Sequence, residues 1–122
     1  MKKIKTIIQI LISTIFLFSV CCCSTTIKNE VIEKIDLGKY DLYVFNRAAG
    51  ATTDNSMQIA ILENREHFSN RISGNVFIAK GKFDVNVFYE NNCIYIKYKN
   101  INNEDVFLRK TEFNGFDIIY LE

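Results

Sequence analysis

The sequence predicts an all-β domain, a small antiparallel meander or sandwich of about seven strands, behind an N-terminal signal segment and a tether. Three observations carry this. From Leu37 onward, short runs rich in aromatic and β-branched residues follow one another, several of them alternating apolar and polar positions. The links between them are short and carry Asn or Gly. No strand–helix–strand alternation is visible, which argues against a parallel nucleotide-binding sheet. A chain of 122 residues is long enough for one domain, and 48% hydrophobic residues suffice for a packed core.

The first element is an address. MKKIKTIIQILISTIFLFSVCCCS begins with Lys2, Lys3 and Lys5, continues with an uncharged run from Ile7 to Val20, and ends in cysteines. A basic start, an apolar stretch and small residues are the three parts of an export signal. The run is short for a spanning helix, which needs roughly 20 residues. The charge-free stretch continues through Ile27, however, so an uncleaved single transmembrane anchor is the alternative.

Residues 1–22 are therefore read as a lipoprotein-type signal peptide, 23–36 as the lipidated Cys and a tether, and 37–122 as the single β domain. A Cys just after the apolar run resembles the lipobox of bacterial lipoproteins, in which the Cys is diacylated and becomes the first mature residue. That resemblance implies a membrane anchor of two acyl chains, enough for stable binding. Cys23 fits best, with aliphatic Val20 three positions before it and small Cys22 just before it; Cys22 and Cys21 are the alternatives. The competing reading is a plain signal-peptide end with free thiols. Cys93 stands apart from that run and has no intramolecular partner once residues 21–23 are removed or acylated, so no disulfide framework is expected.

STTIKNEVIEKID (24–36) reads as a tether or a short frayed helix, because Ile27, Val31 and Ile35 recur every four residues. YDLYVF (40–45) and MQIAILE (57–63) read as core strands, NVFIAK (75–80) as a third. In FDVNVFYE (83–90), Phe83, Val85, Val87 and Tyr89 share one face, and Phe88 falls on the other with Asp84, Asn86 and Glu90. CIYIKYK (93–99) puts Ile94, Ile96 and Tyr98 on one face and Lys97 and Lys99 on the other. DVFLRK (105–110) and FDIIYLE (116–122) complete the set. Asn91-Asn92 should close a hairpin, with further turns at Gly81, Asn102-Asn103 and Asn114-Gly115. NREHFSNRISG (64–74) is the one long polar segment inside the domain, expected as a loop over one end of the sheet.

Charge and motifs exclude several functions. Setting aside Lys2, Lys3 and Lys5 leaves 12 of the 15 basic residues against all 14 acidic ones, a net of −2. The remaining basic residues are interleaved with acids, so no nucleic-acid footprint is expected. One His and no paired Cys outside 21–23 leave no metal-ligand spacing, and no phosphate-cradling glycine motif or nucleophile elbow occurs. No cofactor and no catalytic set is expected. His67 beside Glu66 could serve as a general base, but it reads more simply as a solvated loop residue.

Two features remain as possible partner contacts. One is the segment RAAGATTDNS (47–56) between the first two core strands. There Thr52, Thr53 and Asp54 either satisfy the loop's own backbone or meet a partner. The other is Phe88, an aromatic on a polar face, which is either covered by a second layer or a contact.

Tyr40 to Phe45 followed by Gly50-Ala51-Thr52-Thr53-Asp54 and an apolar strand resembles a family of short uncharacterised bacterial exported proteins with a Gly-Ala-Thr-Thr motif. The strand pair FDVNVFYENNCIYIKY resembles a later part of the same family, and the likeness covers roughly 37–122. Where members often carry Cys or Gly before the motif Gly and Trp in the later strand, this chain has Ala49 and Phe88. The resemblance implies an exported or lipoprotein domain with no established activity. The expected protein is thus a membrane-tethered β domain with a structural or protein-binding role toward an unknown envelope partner. The alternatives are an inhibitor or immunity protein against a lytic enzyme or toxin, and an enzyme with an unrecognised site.

Overall fold

Nine strands in two sheets make up the architecture of the described residues. The structure is a computed structural model and describes Lys5 and residues 27–48 and 54–122. The first sheet has the order β1-β2-β3-β4-β7, built from β1 (Lys28–Asp36), β2 (Tyr40–Ala48), β3 (Ser56–Glu63), β4 (Phe77–Lys80) and β7 (Val106–Arg109). The second has the order β5-β6-β9-β8, from β5 (Val85–Glu90), β6 (Cys93–Tyr98), β8 (Glu112–Phe113) and β9 (Phe116–Leu121).

The alternation read from the sequence decides which side chains fill the space between the sheets. Leu42, Val44, Met57, Ile59, Ile61, Phe77 and Ala79 of the first sheet meet Val85, Val87, Ile94, Ile96, Tyr98, Phe116 and Ile118 of the second in one buried cluster. Aromatic contacts cross the gap: Tyr40 meets Phe116 edge-on at 5.8 Å between ring centroids, and Phe77 meets Tyr98 at 5.5 Å. The all-β sandwich expected from the sequence is the fold observed.

Three local expectations are corrected. The segment expected as a tether or frayed helix is, over Lys28–Asp36, the edge strand β1, paired along its length with β2. A spacing of four residues places side chains on one face of a helix and also on one face of a strand, so the period alone does not separate them. A bulge between Val31 and Glu33 then shifts the alternation, sending Ile35 into the sandwich core. The second correction concerns connectivity. The chain is not a simple meander, because it crosses between sheets after β4, after β6 and after β7, and β9 lies parallel to β6. The count rises above seven because β1 and the two-residue β8 both join.

The third is segment 64–74, which is a loop but lies across the outer face of the first sheet rather than at its end. Phe68 and Ile72 pack onto Tyr43, Phe45, Ala60 and Leu62, with Phe68 stacked on Tyr43 at 4.6 Å. Polar fasteners hold this strap down. Asn29 Nδ2 donates to the carbonyls of Ser69 (2.9 Å) and Ile72 (2.8 Å), and the Gly74 N–H donates to Gln58 Oε1 at 2.7 Å. Gln58 is bonded through both ends of its amide, and buried Asn29 through its NH2 group, while Asn29 Oδ1 meets no partner among the described residues. Covered on both faces, β2 is buried without a break from Leu42 to Asn46.

The chain turns at all four expected places, Gly81 among them with φ +109° after β4. Asn91-Asn92 (φ +52° and +62°) and Asn114-Gly115 (φ +49° and +87°) make the left-handed turns that two-residue hairpins need. Between β6 and β7 the expected turn is a single 3-10 turn at Asn103–Asp105, in which the Asp105 N–H donates to the Asn102 carbonyl at 2.9 Å, with a left-handed Asn100 (φ +61°) before it.

Candidate functional site

The outer face of the second sheet carries the clearest candidate. On β5, inward Val85 and Val87 alternate with outward Asn86, Phe88 and Glu90. On β6 the outward positions are Cys93, Tyr95 and Lys97, and on β9 they are Asp117, Ile119 and Leu121. The register aligns these into rows. Phe88 sits opposite Tyr95, and Tyr95 opposite Ile119, so an apolar row crosses three strands. Phe88 and Tyr95 stack nearly parallel, with centroids 5.0 Å apart and planes 12° apart. Phe88 is 46% exposed and Ile119 40%, so nothing in the described chain covers them.

An acidic row flanks the apolar one on one side and a mixed row with a single charge, Lys97, on the other. Toward the Asn91-Asn92 turn lie Glu90, Cys93 and Asp117, with Glu112 of β8 paired to Asp117. Toward the other end lie Asn86, Lys97 and Leu121. The Tyr95 phenol is held above its ordinary range, first by Cys93, then by desolvation and by the Glu90 charge. An aromatic pair with an acidic border on one side and a lysine on the other has the makeup that protein contact surfaces favour. It offers shape and stacking and no reactive pair.

Of the residues expected from sequence, Phe88 is in this face. Tyr95, Ile119 and Leu121 were missed. Tyr95 was legible, since it alternates with Ile94 and Ile96 and so shares the face of Lys97; the β9 residues depend on a parallel pairing that sequence does not display. Asp54 is exposed and ion-paired with Lys80 at 3.0 Å, a surface pair of little energetic weight. That contact raises the lysine pKa, through the hydrogen bond first and the carboxylate charge second. Thr52 and Thr53, and with them Gly50 and Ala51, lie outside the described residues, as do Cys21, Cys22 and Cys23.

The structure does not bring Cys93 and His67 together. Half-buried Cys93 is on the outer face of the second sheet, and His67 is exposed on the strap over the first. Two packed sheets stand between them, roughly 10 Å apart on their own. Among the described residues no group of three His, Cys, Asp or Glu side chains could hold a metal ion. Also among the described residues, no helix is long and apolar enough to cross a membrane. A groove of about 670 Å³, open to solvent, runs along the edge of the second sheet past Lys82, Asp84, Asn86, Lys97 and Lys99. No known family model, curated protein or solved structure matches the chain.

Proposed function

We propose that this chain is a lipid-anchored protein of a bacterial envelope whose β domain holds a protein partner on the outer face of its second sheet. The observation that carries the contact is the bare row Phe88–Tyr95–Ile119, aligned across three strands and bordered by charge. Aromatic side chains fixed on a sheet lose little entropy on binding and are enriched at protein interfaces. The anchor rests on the basic start, the apolar run and the cysteines at 21–23, with Cys23 as the acylated residue. The Gly-Ala-Thr-Thr resemblance is not needed for either part.

Crosslinked capture from the protein's own envelope tests the contact. The wild type retains a protein that Phe88→Asp loses, with the domain still folded. Equal capture by both, or by neither, removes this face from the function. Mass spectrometry of the mature N-terminus tests the anchor: a diacylated Cys23 is expected, and an unmodified N-terminus or intact residues 1–20 counts against it.

A further inference from the structure

The second exposed apolar cluster follows β1. Ile27 (43% exposed), just before the strand, and Val31 (44%) and Ile32 (54%), in its first half, follow this edge. Val31, opposite Phe45, points to the strap side of the sheet. Ile32 sits in the bulge and borders a cleft of about 360 Å³ between the sheets, with Val44, Met57 and Phe83. Among the described residues, no strand lies beside the outer edge of β1. Edge strands usually carry charge against pairing, and Lys28, Glu30, Glu33 and Lys34 supply it. The three isoleucine and valine side chains are what that protective pattern leaves unexplained.

The chain preceding β1 says what covers them. Only four residues separate Cys23 from Lys28. Fully extended, the step from one Cα to the other spans at most about 17 Å. An acylated Cys23, or the end of an uncleaved apolar anchor, therefore leaves β1 no room to stand far from the bilayer. Two orientations are then open. End-on, the domain would rest on the connections at the start of β1, which present polar Asp54, Asn55, Lys82, Asp84 and Glu104. Edge-on, it rests on the residues from Ile27 to Ile32, where the exposed apolar surface is.

We infer that β1 lies edge-on against the lipid surface, with Ile27, Val31 and Ile32 seated at headgroup level; this rests on the anchored reading above. The depth is bounded by chemistry. The open backbone edge of β1 needs water, and Glu30 and Glu33 are not buried in hydrocarbon at little cost, so the strand stops in the hydrated interface. Lys28 and Lys34 can run their stems along the interface and reach lipid phosphates. The outer face of the second sheet then stands to the side of the membrane contact, free for a partner.

The test uses the full, lipidated protein in vesicles of phosphatidylethanolamine and phosphatidylglycerol. A photoreactive benzoylphenylalanine replaces Ile32, or Phe107 as the control. Phe107 is 68% exposed on β7, the opposite edge of the same sheet, four strand spacings or about 19 Å away. The expected result is a mass shift of one phospholipid at position 32 and none at 107. The same probe at Ile27 gives a second reading if the substitution at 32 impairs folding. Protein that floats with the vesicles but forms no lipid adduct at 27 or 32, forms equal adducts at 107, or crosslinks at 32 to a second copy, overturns the orientation and leaves the anchor standing. Protein that does not float overturns both.

Discussion

The two sheets treat their outer faces differently. The first sheet lays Tyr43, Phe45, Ala60 and Leu62 outward and covers them with the strap, whose Phe68 and Ile72 complete a second small core. The second sheet lays Phe88, Tyr95 and Ile119 outward, with Phe88 and Ile119 exposed, Tyr95 half-buried, and no loop of the described residues laid over them. Both faces are aromatic-rich; only one is closed. The difference teaches that exposure of Phe88 is not a shortage of chain to cover it. The same molecule devotes eleven residues, 64–74, and a set of buried amide hydrogen bonds to covering the equivalent surface on the other side.

The comparison can be broken most strongly at Phe45. It is fully buried under Phe68, with centroids 5.1 Å apart. Phe45→Ala should cost about 3–5 kcal/mol in denaturant unfolding, the usual range for an emptied aromatic site. A loss near that expected of a surface residue would mean that the strap is not part of the core. Asn29→Ala should come next. It removes the Asn29 donor from the Ser69 carbonyl and leaves the Ile72 carbonyl with Arg47 Nη1 alone, costing about 1–3 kcal/mol. Hydrogen exchange should rise through residues 69–72, while β5 and β6 stay protected. Uniform loosening of both sheets would show that the strap is not a separate closure.

Phe88→Ala sharpens the contrast from the other side. Its ring stacks on Tyr95 but fills no cavity, so stability should change by less than about 1 kcal/mol. Partner capture should nevertheless fall. A large stability loss would make Phe88 structural and the bare face a misreading.

A last effect concerns pH and shows only in strong alkali. Burial pushes the Tyr120 phenol up to about 12, against the downward pull of the Arg109 guanidinium, which lies 4.3 Å from its ring centroid. Its hydroxyl donates to the Lys110 carbonyl at 2.6 Å. The folded state holds this proton more tightly than the unfolded chain, whose phenol has an ordinary value of 10.0. The contribution is therefore complete below about pH 10 and is lost as pH rises through about 12. Tyr120→Phe should flatten that part of the stability profile without changing the strap's exchange. An unaltered profile would rule Tyr120 out as the titrating group.

How much of this was legible depends on the range of the interaction. The inward faces of β5 and β6 follow from alternation, which is local: Val85, Val87, Ile94 and Ile96 are buried as their positions imply. The Asn91-Asn92 hairpin was legible because φ > 0 restricts which residues make such a turn. Phe88 stood out as an aromatic on a polar face for the same local reason. β1 was not legible, since its bulge and spacing mimic a helix period and its partner β2 supplies the pairing.

The amino-acid sequence by itself determined that the domain is all-β, which face of each hairpin strand turns inward, and that an apolar, cysteine-ended segment precedes it. These depend on side-chain chemistry at spacings of one to a few residues. Only the tertiary structure decided that β9 runs beside β6, bringing Ile119 into line with Tyr95 and Phe88. It alone decided that the strap closes one outer face and that β1 is an edge. Those outcomes rest on pairings between distant segments. The backbone hydrogen bonds that make them are the same for every residue type, so the identity of a strand's neighbour is not written in the strand.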